Sequence, residues 1–272
     1  MSDRSIETLA FPTPLAHGSV NWLGMWTLFY KEVRRFLKVY LQTLISPMIT
    51  TLLFLAVFAL SVGRVATQAG GVPFLEFLGP GLIMMAMVQN AFANTSSSLT
   101  ISKIQGNIVD LLMAPLSAAE QVAALAGGGV VRGMLVGMVV GLSMLPFVTL
   151  HMALPLLVLY HAVMGCLLLS LLGLMGGIWA DKFDHLAAVT NFVITPLSFL
   201  SGTFYSTEHL PPLFQSIALA NPFFYMIDGF RAGFTGHADG GIITGMVVLA
   251  VANLTLLLAS WRMLATGYKL KS

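Results

Sequence analysis

Charge is what this sequence has least of. Only 9% of its 272 residues are Asp, Glu, Lys or Arg, against roughly 25% in an ordinary soluble domain. A water-facing globule of this size is excluded by that scarcity. With 57% hydrophobic residues, lipid is the solvent that accepts the surface. The net charge of +2, with no basic run beyond a short N-terminal stretch, gives no footing for nucleic acid. A single cysteine, Cys166, lies in an apolar run and excludes an intrachain disulfide. No GxxxxGKS/T phosphate loop is present, so nucleotide hydrolysis by that route is not expected. The histidines (His17, His151, His161, His185, His209, His237) are scattered, and no pair has metal-ligand spacing. His185 follows Asp181 and Asp184 in what reads as a solvated turn. Neither catalytic residues nor a metal site is expected.

What is present is apolar length. A helix crossing about 30 Å of hydrocarbon needs roughly 20 mostly apolar residues, and six stretches qualify: 42–63, 77–99, 118–147, 153–180, 186–204 and 241–261. Pro196 predicts a kink in the fifth. With the N-terminus inside, Arg4, Lys31, Arg34, Arg35, Lys38, Lys103, Lys182, Arg262, Lys269 and Lys271 are cytoplasmic. Arg64 and Arg231 fall outside and Arg132 within a span, which satisfies the positive-inside rule. Asp3, Arg4 and Glu7 precede Pro12 and Pro14 with no apolar core, so residues 1–18 read as a cytoplasmic tail rather than a cleaved leader. Residues 266–272 read as the other cytoplasmic tail.

Residues 19–40 pattern differently. Trp22, Trp26, Phe29, Val33, Phe36 and Tyr40 recur at steps of three and four, and Lys31, Arg34, Arg35 and Lys38 occupy another face. Such a helix lies in the headgroup plane; a cytoplasmic extension of the first span is the alternative. Residues 205–240 are too apolar for a free loop and too interrupted for one span, with Pro211-Pro212, Asn221-Pro222 and Phe223-Phe224-Tyr225. Two short helices dipping into the outer leaflet, 211–219 and 222–234, fit. Asp228 and Arg231, three apart, predict a local ion pair.

Three further groups carry polarity where lipid offers no partner. Gln89, Asn90, Asn94, Ser97 and Ser98 lie in the second span, and positions 90, 94, 97 and 98 share one face. They bond neighbouring helices, or they line a path or a subunit seam. Arg132 lies about a dozen residues into the third span, after Gly127-Gly128-Gly129. A central arginine costs about 2.5–3.5 kcal/mol on insertion scales, so it calls for a partner on another helix, a carbonyl or water. In segment 101–114, Ile101, Ile104, Ile108, Leu111 and Leu112 recur at helical spacing, with Lys103, Gln105, Asn107 and Asp110 elsewhere, until Pro115. The face suits a cytoplasmic partner, or burial against the bundle.

In this order the features resemble the ABC-2 exporter permeases, over residues 20–265. Phe77-Leu78-Gly79-Pro80-Gly81-Leu82 looks like the family's entry to the second span. Gly106 through Pro115, GNIVDLLMAP, looks like its coupling segment. Ser201-Gly202, Leu210-Pro211, Asn221-Pro222 and Asp228 to Arg231 resemble its re-entrant region. Gln42-Thr43-Leu44 with Pro47, and the Gly127–Gly133 run with Arg132, are similar to the bacterial YadH-type branch.

The resemblance implies an all-α polytopic inner-membrane protein: six transmembrane helices within 41–265, an in-plane helix and a re-entrant external hairpin. It implies a homodimer with two copies of a cytoplasmic ABC ATPase, which carries the ATP and Mg. Ile104, Gly106, Asp110, Leu111, Leu112 and Pro115 would couple to that ATPase. Trp22, Trp26, Lys31, Arg34 and Arg35 would form a gate helix. Gln89, Asn90, Asn94 and Arg132 would line a path or seam at a dimer interface near the first, second and fifth spans. Pro211, Asn221, Pro222, Asp228 and Arg231 would shape the hairpin. Relatives in other branches export polysaccharide, lipo-oligosaccharide or drugs. The alternatives are a membrane scaffold or a lipid-modifying membrane protein; no cluster of Asp, His or Ser favours the latter.

Overall fold

The computed structural model describes residues 20–61, 68–69, 71–207 and 210–270. The tail at 1–18, Arg64 and Lys271, used above for orientation, lie outside the described residues.

Eleven helices are described: α1 Trp22–Leu37, α2 Ser46–Ser61, α3 Phe74–Ile104, α4 Ile108–Met113, α5 Ala118–Met144, α6 Pro155–Trp179, α7 Phe183–Val189, α8 Thr195–Phe199, α9 Pro212–Ala220, α10 Pro222–Thr235 and α11 Ile242–Thr266. A two-residue ladder, Gln68–Ala69 against Val72–Pro73, precedes α3. Five helices among the described residues are long and apolar enough to cross a bilayer: Leu41–Ser61, α3, α5, α6 and α11. The fifth expected span is helical only from Phe183 to Phe199, short of the roughly 20 residues a crossing needs.

Two prolines leave the same imprint. Pro47 and Pro196 have no N–H to give, and each is preceded by a π-helical turn, Leu41–Ile45 and Thr190–Ile194. The N–H groups of Ser46 and Thr195 reach back five residues, to the carbonyls of Leu41 and Thr190. The kink expected at Pro196 therefore takes the form of a widened turn just before it.

α3 is the axis of the bundle. It is 31 residues long, about 46 Å at 1.5 Å per residue, and is buried over most of its length, whereas α2 and α11 expose most of theirs. α5 and α6 flank it through small and hydroxyl residues: the Thr95 hydroxyl donates to the Ser170 carbonyl at 2.7 Å, and the Ser170 hydroxyl to Ala126 at 3.0 Å. α10 is buried nearly throughout, its Phe223, Met226, Ile227 and Phe230 in one cluster with Met84, Leu168 and Val140. Its start is set by Asn221, which accepts from the Phe223 N–H and donates to the Leu197 carbonyl, both at 3.0 Å.

At one end the helices are tied by cations. Lys103 donates to the carbonyls of Ile178 and Ala180 and to the Asp181 carboxylate, at 2.9, 2.7 and 3.1 Å. Lys269 adds a bond to Asp181 at 3.3 Å, and Leu270 beyond it is buried. The hydrogen bonds from Lys103 and then Lys269 hold the Asp181 carboxyl below the ordinary carboxylate range. A depressed carboxylate contributes stability above its unfolded pKa and loses it as pH falls through the folded one. Asp181→Asn is therefore expected to lower the melting temperature slightly at pH 7, with the difference from wild type vanishing in acid below that folded pKa. A difference that persists there would contradict the ion-pair account.

Candidate functional site

α1 does not continue the first span in a straight line. The Thr43 hydroxyl donates to the Phe36 carbonyl at 3.0 Å as well as to Val39 at 3.2 Å. Residues seven apart in a straight helix are separated by about 10.5 Å along its axis, so the chain bends between them. The bend lays α1 against α5. Its buried stripe is Leu28, Glu32 and Phe36; Trp22, Trp26 and Tyr40 are exposed on the protein surface, as are Lys31, Arg34 and Lys38. α1 thus has two apolar faces, one packed on the bundle and one, the aromatic stripe, turned outward.

Glu32 and Arg35 meet the polar face of α3. The Glu32 carboxylate is 2% exposed and accepts from Ser98 Oγ at 2.7 Å and from Arg35 Nε and Nη2 at 3.2 and 3.1 Å. Arg35 also donates to the Asn94 side-chain and backbone oxygens at 3.0 and 2.8 Å, with Ser97 Oγ at 3.5 Å. One turn along, Asn90 Oδ1 accepts from Arg132 Nη2 at 2.9 Å. So positions 90, 94, 97 and 98 do share a face, and it is glued to α1 and α5. Arg132 has its partner on another helix, an amide rather than a carboxylate. The Gly127–Gly129 run permits the approach: a Cβ on Gly128 would stand 2.7 Å from Glu32 Cβ. Gln89 lies off this face and is half-buried. Three formal charges, Glu32, Arg35 and Arg132, thus share a low-dielectric junction with one positive charge in excess.

Glu32 is the residue that sequence reasoning missed. Its signal was the spacing Leu28–Glu32–Phe36, an acid at the centre of an apolar stripe four residues apart.

At the near end of α1, Glu120 joins two helix starts. Its oxygens accept from the Asn21 N–H at 2.6 Å and the Ser117 N–H at 2.7 Å. A carboxylate suits the positive ends of both helices, and Ser117 with Glu120 forms a capping box on α5. Asn21 caps α1 and donates to the Pro115 carbonyl at 3.0 Å. Between α1 and α4 runs a groove of about 620 Å³, lined by Lys31, Asp110, Leu111 and Pro115 among others.

Residues 101–114 do not form one helix. α3 ends at Ile104, Gly106 turns with φ +77°, and α4 begins at Ile108. Ile108 is buried, and Leu111 and Leu112 are half-buried against the bundle. The apolar side chains left exposed are Ile104, Val109 and Met113, with Asp110 and Pro115 also exposed.

At the other end of the bundle, Asp228 and Arg231 turn to different partners instead of pairing. Asp228 accepts from the N–H groups of Asp239 and Gly240 at 3.1 and 2.8 Å. Arg231 donates to the Gly202 carbonyl at 2.5 Å and lies 3.7 Å over the Phe77 ring. Phe77, Gly202 and Arg231 come from three separate motifs and meet in one contact. Pro211 and Pro222 stand at or next to the first residues of α9 and α10. Among the described residues, no three His, Cys, Asp or Glu side chains converge as metal ligands would.

Residues 24–235 match the family model described as ABC-2 type transporter. The chain is 38% identical over 251 residues to the inner membrane transport permease YadH of Escherichia coli K12, covering 92% of this chain and 98% of that one. It is 27% identical over 237 residues to nodulation protein J of Rhizobium leguminosarum bv. trifolii, covering 83% and 85%. A match across most of its length, joined to that identity, places this multi-pass membrane protein in the ABC-2 type transporter family.

Proposed function

We propose that this chain is the transmembrane subunit of an ATP-driven exporter of the inner membrane. It works as a homodimer with two copies of a separate ABC ATPase that binds ATP and Mg, and it moves an amphipathic or lipid-linked substrate outward. Both termini are cytoplasmic, α1 lies in the headgroup plane, the fifth expected span, 186–204, completes the six crossings, and α9 with α10 re-enters from outside. The observation that carries this reading is the chain of hydrogen bonds that ties the turn after α4 to the start of α1, through Asn21 and the Pro115 carbonyl, and α1 to the axis of the bundle, through Glu32 and Arg35. A push on α4 has a path to α1 and α3. The scarcity of charge among the spans supports a lipid-like cargo over a small ion, and no chain of inward carboxylates supports proton coupling.

The test is the composition of the complex purified from native membranes in mild detergent. Two chains with two ATPases are expected. The pair Val109→Asp and Met113→Asp, on side chains exposed on α4, is expected to release the ATPase while the membrane subunit stays inserted and folded. ATPase retained at wild-type stoichiometry would overturn the docking role. A lone chain after gentle crosslinking would return the scaffold reading.

A further inference from the structure

A second crevice, of about 660 Å³, opens between α6 and α11 at the end where Lys103, Asp181 and Lys269 meet. Its walls are apolar: Leu172 and Met175 from α6, Val189 from α7, Ala259 and Met263 from α11. At its mouth stand Trp179, Tyr268 and Arg262. Leu172 lies seven residues from Trp179, so the crevice runs about 10 Å inward along α6. Lys269 is committed to Asp181 and to the Trp179 carbonyl. Arg262 is exposed, and its guanidinium makes no hydrogen bond or ion pair with any described residue.

We propose that this crevice holds a phospholipid with an anionic headgroup, its phosphate at Arg262 and an acyl chain along Leu172, Met175 and Met263. Charge complementarity selects this occupant. Beside the crevice Lys103 and Lys269 both pair with Asp181, so that carboxylate is already shared between two lysines and leaves Arg262 in excess. The surplus is positive, and a second copy of the same surface would bring like charge to like. Trp and Tyr flank the mouth at the level where amphipathic rings meet headgroups, and basic pockets between helices at the cytoplasmic face suit such lipids. The assignment to the cytoplasmic leaflet rests on the orientation proposed above; the site itself does not.

The test is native mass spectrometry of the full chain in mild detergent after equilibration with mixed phosphatidylcholine and phosphatidylglycerol vesicles. Wild type is expected to retain phosphatidylglycerol in preference. Arg262→Gln lowers that retention about fivefold, the increment of one basic residue near a charged surface, and Arg262→Lys restores it. Ala259→Phe, which fills the apolar wall and leaves the charges alone, lowers retention of both lipids. Equal retention of the two lipids by wild type, or unchanged retention by Arg262→Gln, would overturn the proposal. So would crosslinking of Ala259→Cys to a second copy; the native Cys166 is buried and does not compete. Retention is read without ATP, so its failure leaves the exporter reading standing, and a failed transport assay leaves the lipid site standing.

Discussion

Glu32→Ala is expected to destabilise the folded protein by about 3 kcal/mol and to loosen α1 from the bundle. Removing one partner of a buried pair costs about 3–5 kcal/mol because the other charge stays behind unpaired. Arg35 is 29% exposed, so the lower end applies. The loss is aggravated by Arg132, which shares the face of α3 and then meets Arg35 with no carboxylate between them. Ser98 also loses the acceptor for its hydroxyl. Glu32→Gln retains the shape and an acceptor oxygen and should fall between wild type and alanine. Combining Glu32→Ala with Arg35→Ala removes the stranded charge as well, so the double variant should be less destabilised than the sum of the singles, a coupling that a double-mutant cycle reads directly. Thermal or denaturant unfolding in detergent gives the stability, and protease access at Lys31 and Arg34 reports whether α1 has come away. A Glu32→Ala protein within about 0.5 kcal/mol of wild type would mean that the junction is hydrated and its charges are screened.

What the sequence made legible here divides along physical lines. Spans longer than the bilayer is thick advertise themselves, since lipid tolerates no other composition. The bounds of α9 and α10 were readable because Pro212, Pro222 and Asn221 act within one turn of where they stand. The polar face at 90, 94, 97 and 98 was readable because a helix fixes which positions share a side. Partners were not readable. Asn90 is the partner of Arg132 across 42 positions of sequence, and an amide carries no sign that would single it out. The break at Gly106 was masked because the apolar period of α3 runs on into α4 by coincidence of spacing. Glu32 was masked because the exposed aromatic stripe of α1 has the same period as its buried one. Asp228 and Arg231 obeyed the spacing rule for an ion pair, and long-range partners outcompeted it.

The second large effect is expected at that arginine. Arg231→Ala should cost about 3–4 kcal/mol. A hydrogen bond from a charged donor is worth about 1.5–3 kcal/mol, and a desolvated cation over an aromatic face about 2 kcal/mol; part of this is offset because burying a guanidinium is itself unfavourable. The alanine variant leaves the Gly202 carbonyl without this donor and uncovers the Phe77 ring in the core. It also strips the nearby Asp228 and Asp239 carboxylates of the cation that faces them. Arg231→Lys is expected to restore little, because a point ammonium cannot lie flat on Phe77 and still reach the Gly202 carbonyl as the planar fork does. Because the contact joins α10 to α3 and to the turn at 201–204, the loss should show as a lower melting temperature and as protease access in the 201–207 and 236–241 turns. The far end of the molecule should be spared: Arg231 is held on Gly202 and Phe77, at the opposite end of the bundle from α4 and the start of α1, so the variant should still bind the ATPase at wild-type stoichiometry. Lost ATPase binding in a folded Arg231→Ala protein would mean that the two ends of the bundle are energetically coupled. A lysine variant as stable as wild type would mean that charge alone, without the stacked geometry, holds α10 in place.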